Sequence, residues 1–87
     1  MRERDIESFL VKRVKACGGE VRKVKWIGRR GAPDRLVMLP GRGFWVELKA
    51  PGVKAQAHQI REHALMRKMG QVVFLIDSCE LVERICE

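Results

Sequence analysis

A turn set between two apolar runs constrains this chain more than any other stretch. Residues 35–39 are mostly apolar, Pro40-Gly41-Arg42-Gly43 collects turn formers, and Phe44 to Lys49 resumes an aromatic and β-branched run. This pattern predicts a β-hairpin. Depending on turn type, residue 39 pairs with 44, 43 or 42, so residue 34 pairs with 49, 48 or 47. In every register Asp34 lies beside Glu47-Leu48-Lys49. Side chains alternate along a strand, which sends Glu47 and Lys49 to one face and Val46 and Leu48 to the other. Two carboxylates and an ammonium therefore converge at one end of the hairpin.

Two acidic oxygen ligands suit a hard divalent cation, and a nearby ammonium can orient a nucleophilic water or neutralise charge on a phosphate. The ordinary alternative is a surface ion pair between Asp34 and Lys49. Position favours the first reading. Glu47 follows Phe44-Trp45-Val46, where a carboxylate at the end of a buried strand needs a partner or a metal. Pro33 biases Ala32 towards an extended conformation, so the Gly31-Ala32-Pro33 approach to Asp34 is unsuited to a helix.

Periodicity supplies the remaining elements. Ile6, Phe9, Leu10, Val14 and Cys17 recur at helical spacing, and Gly18-Gly19 stops that helix. Val21 to Ile27 reads as a strand, the hairpin follows, Ala55 to Met69 reads as a second helix closed by Gly70, and Gln71 to Ile76 as a fourth strand. Asp77, with Glu80 three residues on, reads as the N-cap of a short last helix through Leu81, Val82 and Ile85. The order is αβββαβα. Ala50 to Lys54 is a connector too short to separate domains.

The 87 residues suffice for one domain with a single core, and 46% hydrophobic content leaves little surplus. Trp26, Trp45, Met66 and Met69 fit such a core more naturally than an interface. No stretch approaches the roughly 20 apolar residues of a membrane span, and the first residues lack the apolar centre of a signal peptide, so a cytoplasmic location is expected. Cys17, Cys79 and Cys86 are odd in number and without metal-ligand spacing, which points to reduced thiols. His58 and His63, five apart, do not align as joint ligands and are expected on the surface.

Pro33-Asp34, twelve intervening residues and Glu47-Leu48-Lys49 resemble the signature of the PD-(D/E)xK nuclease superfamily. The words around them, Gly28-Arg29-Arg30-Gly31-Ala32-Pro33-Asp34-Arg35-Leu36 and Val46-Glu47-Leu48-Lys49-Ala50-Pro51-Gly52, then Gln59, resemble the virus-type replication-repair nuclease (VRR-NUC) branch. The likeness runs from about Glu3 to Asp77. It implies an α/β fold with a restriction-endonuclease-like αβββαβ core, a mixed sheet flanked by helices, followed here by the short C-terminal helix. It also implies hydrolysis of DNA phosphodiesters with Mg²⁺ or Mn²⁺ held by Asp34, Glu47 and the Leu48 backbone carbonyl, and with Lys49 placing the water. Such nucleases usually add an acid from the first helix. Glu7 is narrowly preferred to Glu3 for that role; the ordinary alternative is a solvated helix carboxylate or, for Glu3, a favourable negative charge near the helix N-terminus. Gln59 matches the family's glutamine, which contacts the phosphate or orients the lysine.

A net charge of +7, from 18 Lys and Arg against 11 Asp and Glu, suggests a polyanionic partner. Arg22, Lys23, Lys25, Arg29, Arg30 and Arg35 crowd the approach to Asp34, and Lys54 follows the hairpin. Nucleic-acid phosphates fit that cluster better than a merely solvated face does. Stand-alone VRR-NUC proteins of this size resemble phage or bacterial Holliday-junction resolvases, which implies a four-way DNA junction as substrate and a homodimer offering two active sites. A flap or duplex nicking nuclease and a noncatalytic DNA-binding module remain the alternatives.

Overall fold

Ile6, Leu10 and Val14 recur every four residues, and all three are fully buried along one side of helix α1 (Glu3–Ala16) in the computed structural model, which describes residues 1–87. Asp5 accepts the Arg2 backbone N–H at 2.8 Å and caps the first turn. At the other end the Gly18 and Gly19 N–H groups donate to the Lys15 and Val14 carbonyls, both at 2.9 Å, which terminates the helix in a Schellman motif.

The chain continues through β1 (Glu20–Lys23), β2 (Arg35–Leu39), β3 (Arg42–Leu48), α2 (Ala57–Lys68), β4 (Val73–Ile76) and α3 (Cys79–Ile85). This is the αβββαβα order expected from periodicity. The four strands form one sheet in the order β1-β2-β3-β4, antiparallel through β3, with β4 joined parallel to β3 by the α2 crossover. Leu39 pairs with Arg42, so the hairpin turn is the two residues Pro40-Gly41. Proline sets the first turn position and Gly41 takes φ +81° at the second, the type II arrangement that a side chain there would oppose.

Several boundaries differ from the expected ones. β1 ends at Lys23, not Ile27. Val24 still donates to the Asp34 carbonyl at 2.9 Å, but continuing the register brings Lys25 to Pro33, which has no N–H to extend the ladder. The Trp26 indole instead donates to the Pro33 carbonyl, and Ile27 is 92% exposed. α2 begins at Ala57 after the N-cap Gln56, and β4 begins at Val73. The cap of α3 is Ser78, whose hydroxyl accepts the Leu81 N–H at 3.2 Å; the Asp77 carboxylate accepts the Gly52 N–H instead.

The core lies between α1, α3 and one face of the sheet, where Ile6, Leu10 and Val14 pack with Val37, Phe44, Val46, Leu48, Ile76, Val82 and Ile85. Burying a Leu, Ile, Val or Phe side chain contributes about 1.5–3 kcal/mol, so this cluster sets the pleat of β3. With Val46 and Leu48 committed to it, Glu47 and Lys49 must face the side that α2 covers. Of the four residues expected in the core, Met66 is buried on the inner face of α2. Met69 is 72% exposed, and Trp26 and Trp45 form a partly exposed pair outside the main cluster. All three cysteines are free, and no helix is long and apolar enough to cross a membrane.

Candidate active site

The β2–β3 ladder pairs Arg35 with Val46, and one further step in that register sets Asp34 opposite Glu47. The Lys49 ammonium lies 4.0 Å from a Glu47 oxygen, and both side chains are only 13% exposed. Asp34 is instead paired with Arg35, 2.8 Å from its guanidinium, so the surface ion pair between Asp34 and Lys49 does not form. Leu48 turns its side chain into the core and offers the site only its backbone.

Helix α2 holds Glu47 from above. The Gln59 amide N–H donates to Glu47 Oε2 at 3.3 Å, while Gln59 Oε1 accepts the Gln56 backbone N–H at 2.9 Å. The side chain thus closes the helix N-terminus and fixes the carboxylate together. The Gly31 backbone presses against the first turn of this helix. A Cβ there would stand 2.7 Å from the His58 carbonyl oxygen, and Gly31 has φ +87°, so only glycine seats the loop that delivers Asp34.

Burial, followed by the Asp34 charge, pushes the Glu47 carboxyl up from 4.5 to about 7; Glu3 adds to the rise, and Lys49 and Arg35 oppose it. A carboxylate made costly by its surroundings and facing a second acid is a donor set that a divalent cation would relieve. No third His, Cys, Asp or Glu side chain completes a metal cluster. The remaining positions of such an ion would fall to backbone oxygen and water.

The two acids of α1 are placed differently. Glu7 is bound by Arg35, whose Nε donates to its Oε2 at 2.6 Å. Glu3 acts on Glu47 through charge. Arg35, expected on the basic surface, is only 9% exposed and joins Glu7 to Asp34, because the alternation of β2 turns its side chain toward α1. Lys23, Lys25 and Arg29 line a cleft of about 510 Å³ that reaches Asp34. Arg29 is also paired with the buried Glu62, Arg22 pairs with the neighbouring Glu20, and Arg30 and Lys54 are exposed.

His63, like Arg35, is a residue that sequence reasoning left on the surface and the structure buries. It is only 3% exposed, its Nε2 has no hydrogen-bond partner, and that nitrogen lies 3.9 Å from Glu47 Oε1. Burial, then the Arg67 charge, holds its imidazole below the usual histidine range. One signal was available: His63 follows Gln59 by four residues, one helical turn, and so shares its face. His58 is half-buried and carries no such contact to Glu47.

No family model matches the chain. It is 48% identical over 82 residues to the protein named "Putative nuclease p44" of Acyrthosiphon pisum secondary endosymbiont phage 1, a match covering 93% of this chain and 88% of that protein. A solved structure described as a VRR_NUC domain is similar with a TM-score of 0.86 at 41% identity, covering 95% of this chain and 91% of that one.

Proposed function

This chain belongs to the VRR-NUC nuclease family, and from that premise we propose that it is a divalent-metal-dependent, structure-specific DNA endonuclease of the PD-(D/E)xK type. The observation that carries the reading is Glu47 pinned by Gln59, with Asp34 opposite in register and Lys49 beside it. Asp34, Glu47 and the Leu48 carbonyl would hold Mg²⁺ or Mn²⁺. When bound, such an ion supplies Lewis-acid polarisation of a phosphoryl oxygen and a bound water that ionises more readily.

The other roles belong to the chain itself. Lys49, held near Glu47, orients the attacking water and offsets charge on the phosphate. Gln59 keeps Glu47 in one orientation, and Arg35 does the same for Asp34. Lys23 and Lys25 receive phosphates in the cleft that leads to Asp34, which positions a strand without reading its bases. Glu3 or Glu7 supports the acidic cluster from α1. Hydrolysis by a directed water needs no covalent intermediate; the chain has no Tyr, and Ser8 and Ser78 lack a recognisable base partner.

The substrate we favour is a four-way junction cut by a cytoplasmic homodimer. One chain supplies one site, and symmetric resolution requires two related by a two-fold axis. Incubating purified protein with matched duplex, flap and four-way junction, with and without Mg²⁺ or Mn²⁺, tests both parts. Paired nicks in opposing junction arms, only with metal, are expected. Metal-independent binding without any cleavage would overturn the enzyme reading, and flap-only cutting by a monomer would overturn the resolvase reading.

A further inference from the structure

Resting on that nuclease reading, we propose that an apolar groove beside the cleft is a stacking site for an unpaired nucleobase of the strand whose phosphates lie along Lys23 and Lys25. The groove, about 310 Å³, is lined chiefly by Trp26, Trp45, Leu65, Met66 and Met69. It shares Trp26 and Arg29 with the basic cleft, so the two depressions lie on either side of one wall. A basic surface and an aromatic surface therefore adjoin through Trp26 and Arg29. That combination is how proteins hold single-stranded nucleic acid, with charge tracking the backbone and rings receiving the bases.

The two indoles are set for this use. Their centroids are 5.1 Å apart with planes inclined by 49°. Each ring N–H is already engaged, Trp26 to the Pro33 carbonyl at 2.8 Å and Trp45 to Gln71 Oε1 at 3.1 Å. The hydrogen bond to Pro33 fixes the first ring, which lines the same cleft as Asp34, so a base on it would lie beside the site. Leu65 and Met69, 40% and 72% exposed, leave apolar surface open at the rim. In perfect duplex every base is already stacked and paired and cannot enter. Strands at a junction centre, a flap base or a single-stranded gap can offer one. The groove would thus favour branched DNA within each chain, independently of dimerisation.

Intrinsic fluorescence reads this groove directly, because the chain has two Trp, both lining it, and no Tyr. Metal-free protein in chelator, where no cutting occurs, is titrated with a ten-nucleotide thymidylate strand, with an abasic strand of equal phosphate number and with blunt duplex. Thymidylate should quench the indoles saturably and bind about 10-fold tighter than the abasic strand, the effect of roughly one stacked base. Equal affinity for the two strands without quenching overturns the proposal, and leaves the nuclease reading standing if Mg²⁺ still supports cleavage. A second copy covering the groove also overturns it, and would appear as indole emission that changes on dilution in step with dissociation on sedimentation. Base-dependent quenching in a protein that never cuts DNA would instead remove the nuclease reading on which the proposal rests.

Discussion

Glu47→Gln should make the metal-free protein more stable at pH 8 while abolishing cleavage. The folded carboxyl titrates near 7 against its ordinary 4.5, raised first by burial and then by Asp34. Between those values the folded state keeps a proton that the unfolded chain has released, so stability contributed by this group falls as pH rises through the window. Below pH 4.5 there is no penalty; above about 7 it is complete. Taken at about 1.36 kcal/mol per tenfold, the displacement corresponds to roughly 3 kcal/mol. Water still reaches the side chain and screens it, so about 1–2 kcal/mol is the expected gain at pH 8. Glutamine keeps the volume, and its carbonyl oxygen can still accept the Gln59 N–H. In a domain of this size that gain raises Tm by roughly 5–10 °C. Thermal melts of both proteins in chelator from pH 4 to 8 measure the difference, which should approach zero at the acid end. Added Mg²⁺ should then stabilise the natural protein more than the variant. A variant less stable than the natural protein at pH 8 without metal, or a difference independent of pH, would refute the reasoning.

Lys49→Ala should lose turnover by about 10²-fold or more while retaining Mg²⁺ binding, as calorimetry would show; loss of both would mean that the lysine organises the ligands. Glu3→Gln and Glu7→Gln separate the two α1 acids, and the larger rate loss marks the one that supports the site. Because Glu7 is bound by Arg35, its variant should also lower Tm, whereas a fall in Tm for Glu3→Gln alone would contradict the observed pairing. Gly31→Ala should destabilise by about 1–3 kcal/mol in denaturant unfolding, since it combines strained backbone with a clash against His58. Replacing Lys23 and Lys25 with Ala should weaken binding to all DNA shapes alike and reduce the salt slope by about 2; a loss confined to one base sequence would speak against phosphate contacts.

That Asp34 lies beside Glu47-Leu48-Lys49 was legible in the sequence because it depends on local geometry; that it stands directly opposite Glu47 was not, because the sequence left three turn lengths open. A two-residue turn fixes the register of its hairpin, and the pleat then fixes which side chains share a face. The αβββαβα order and the end of α1 were legible for the same reason, as was the family resemblance carried by Pro33-Asp34 and Glu47-Leu48-Lys49. What a polar residue does once buried was not legible. Arg35 reads as one more basic residue in a basic segment, and only the packing of α1 on β2, 28 residues apart at the contact, makes it the link between Glu7 and Asp34. Asp77 has the pattern of an N-cap, yet the distant Gly52 N–H takes its carboxylate and Ser78 caps the helix. His63 reads as a surface histidine until α2 settles over Glu47, and Trp26 and Trp45 read as core until the main core closes on the opposite face of the sheet. Periodicity and turn chemistry act over a few residues, so the sequence alone determines the order of the elements and the presence of the hairpin, while its register waits on the turn the fold adopts. Desolvation and charge pairing are decided by whichever surfaces meet, so only the tertiary structure decides which charges are buried, which are neutralised and which remain free for a phosphate.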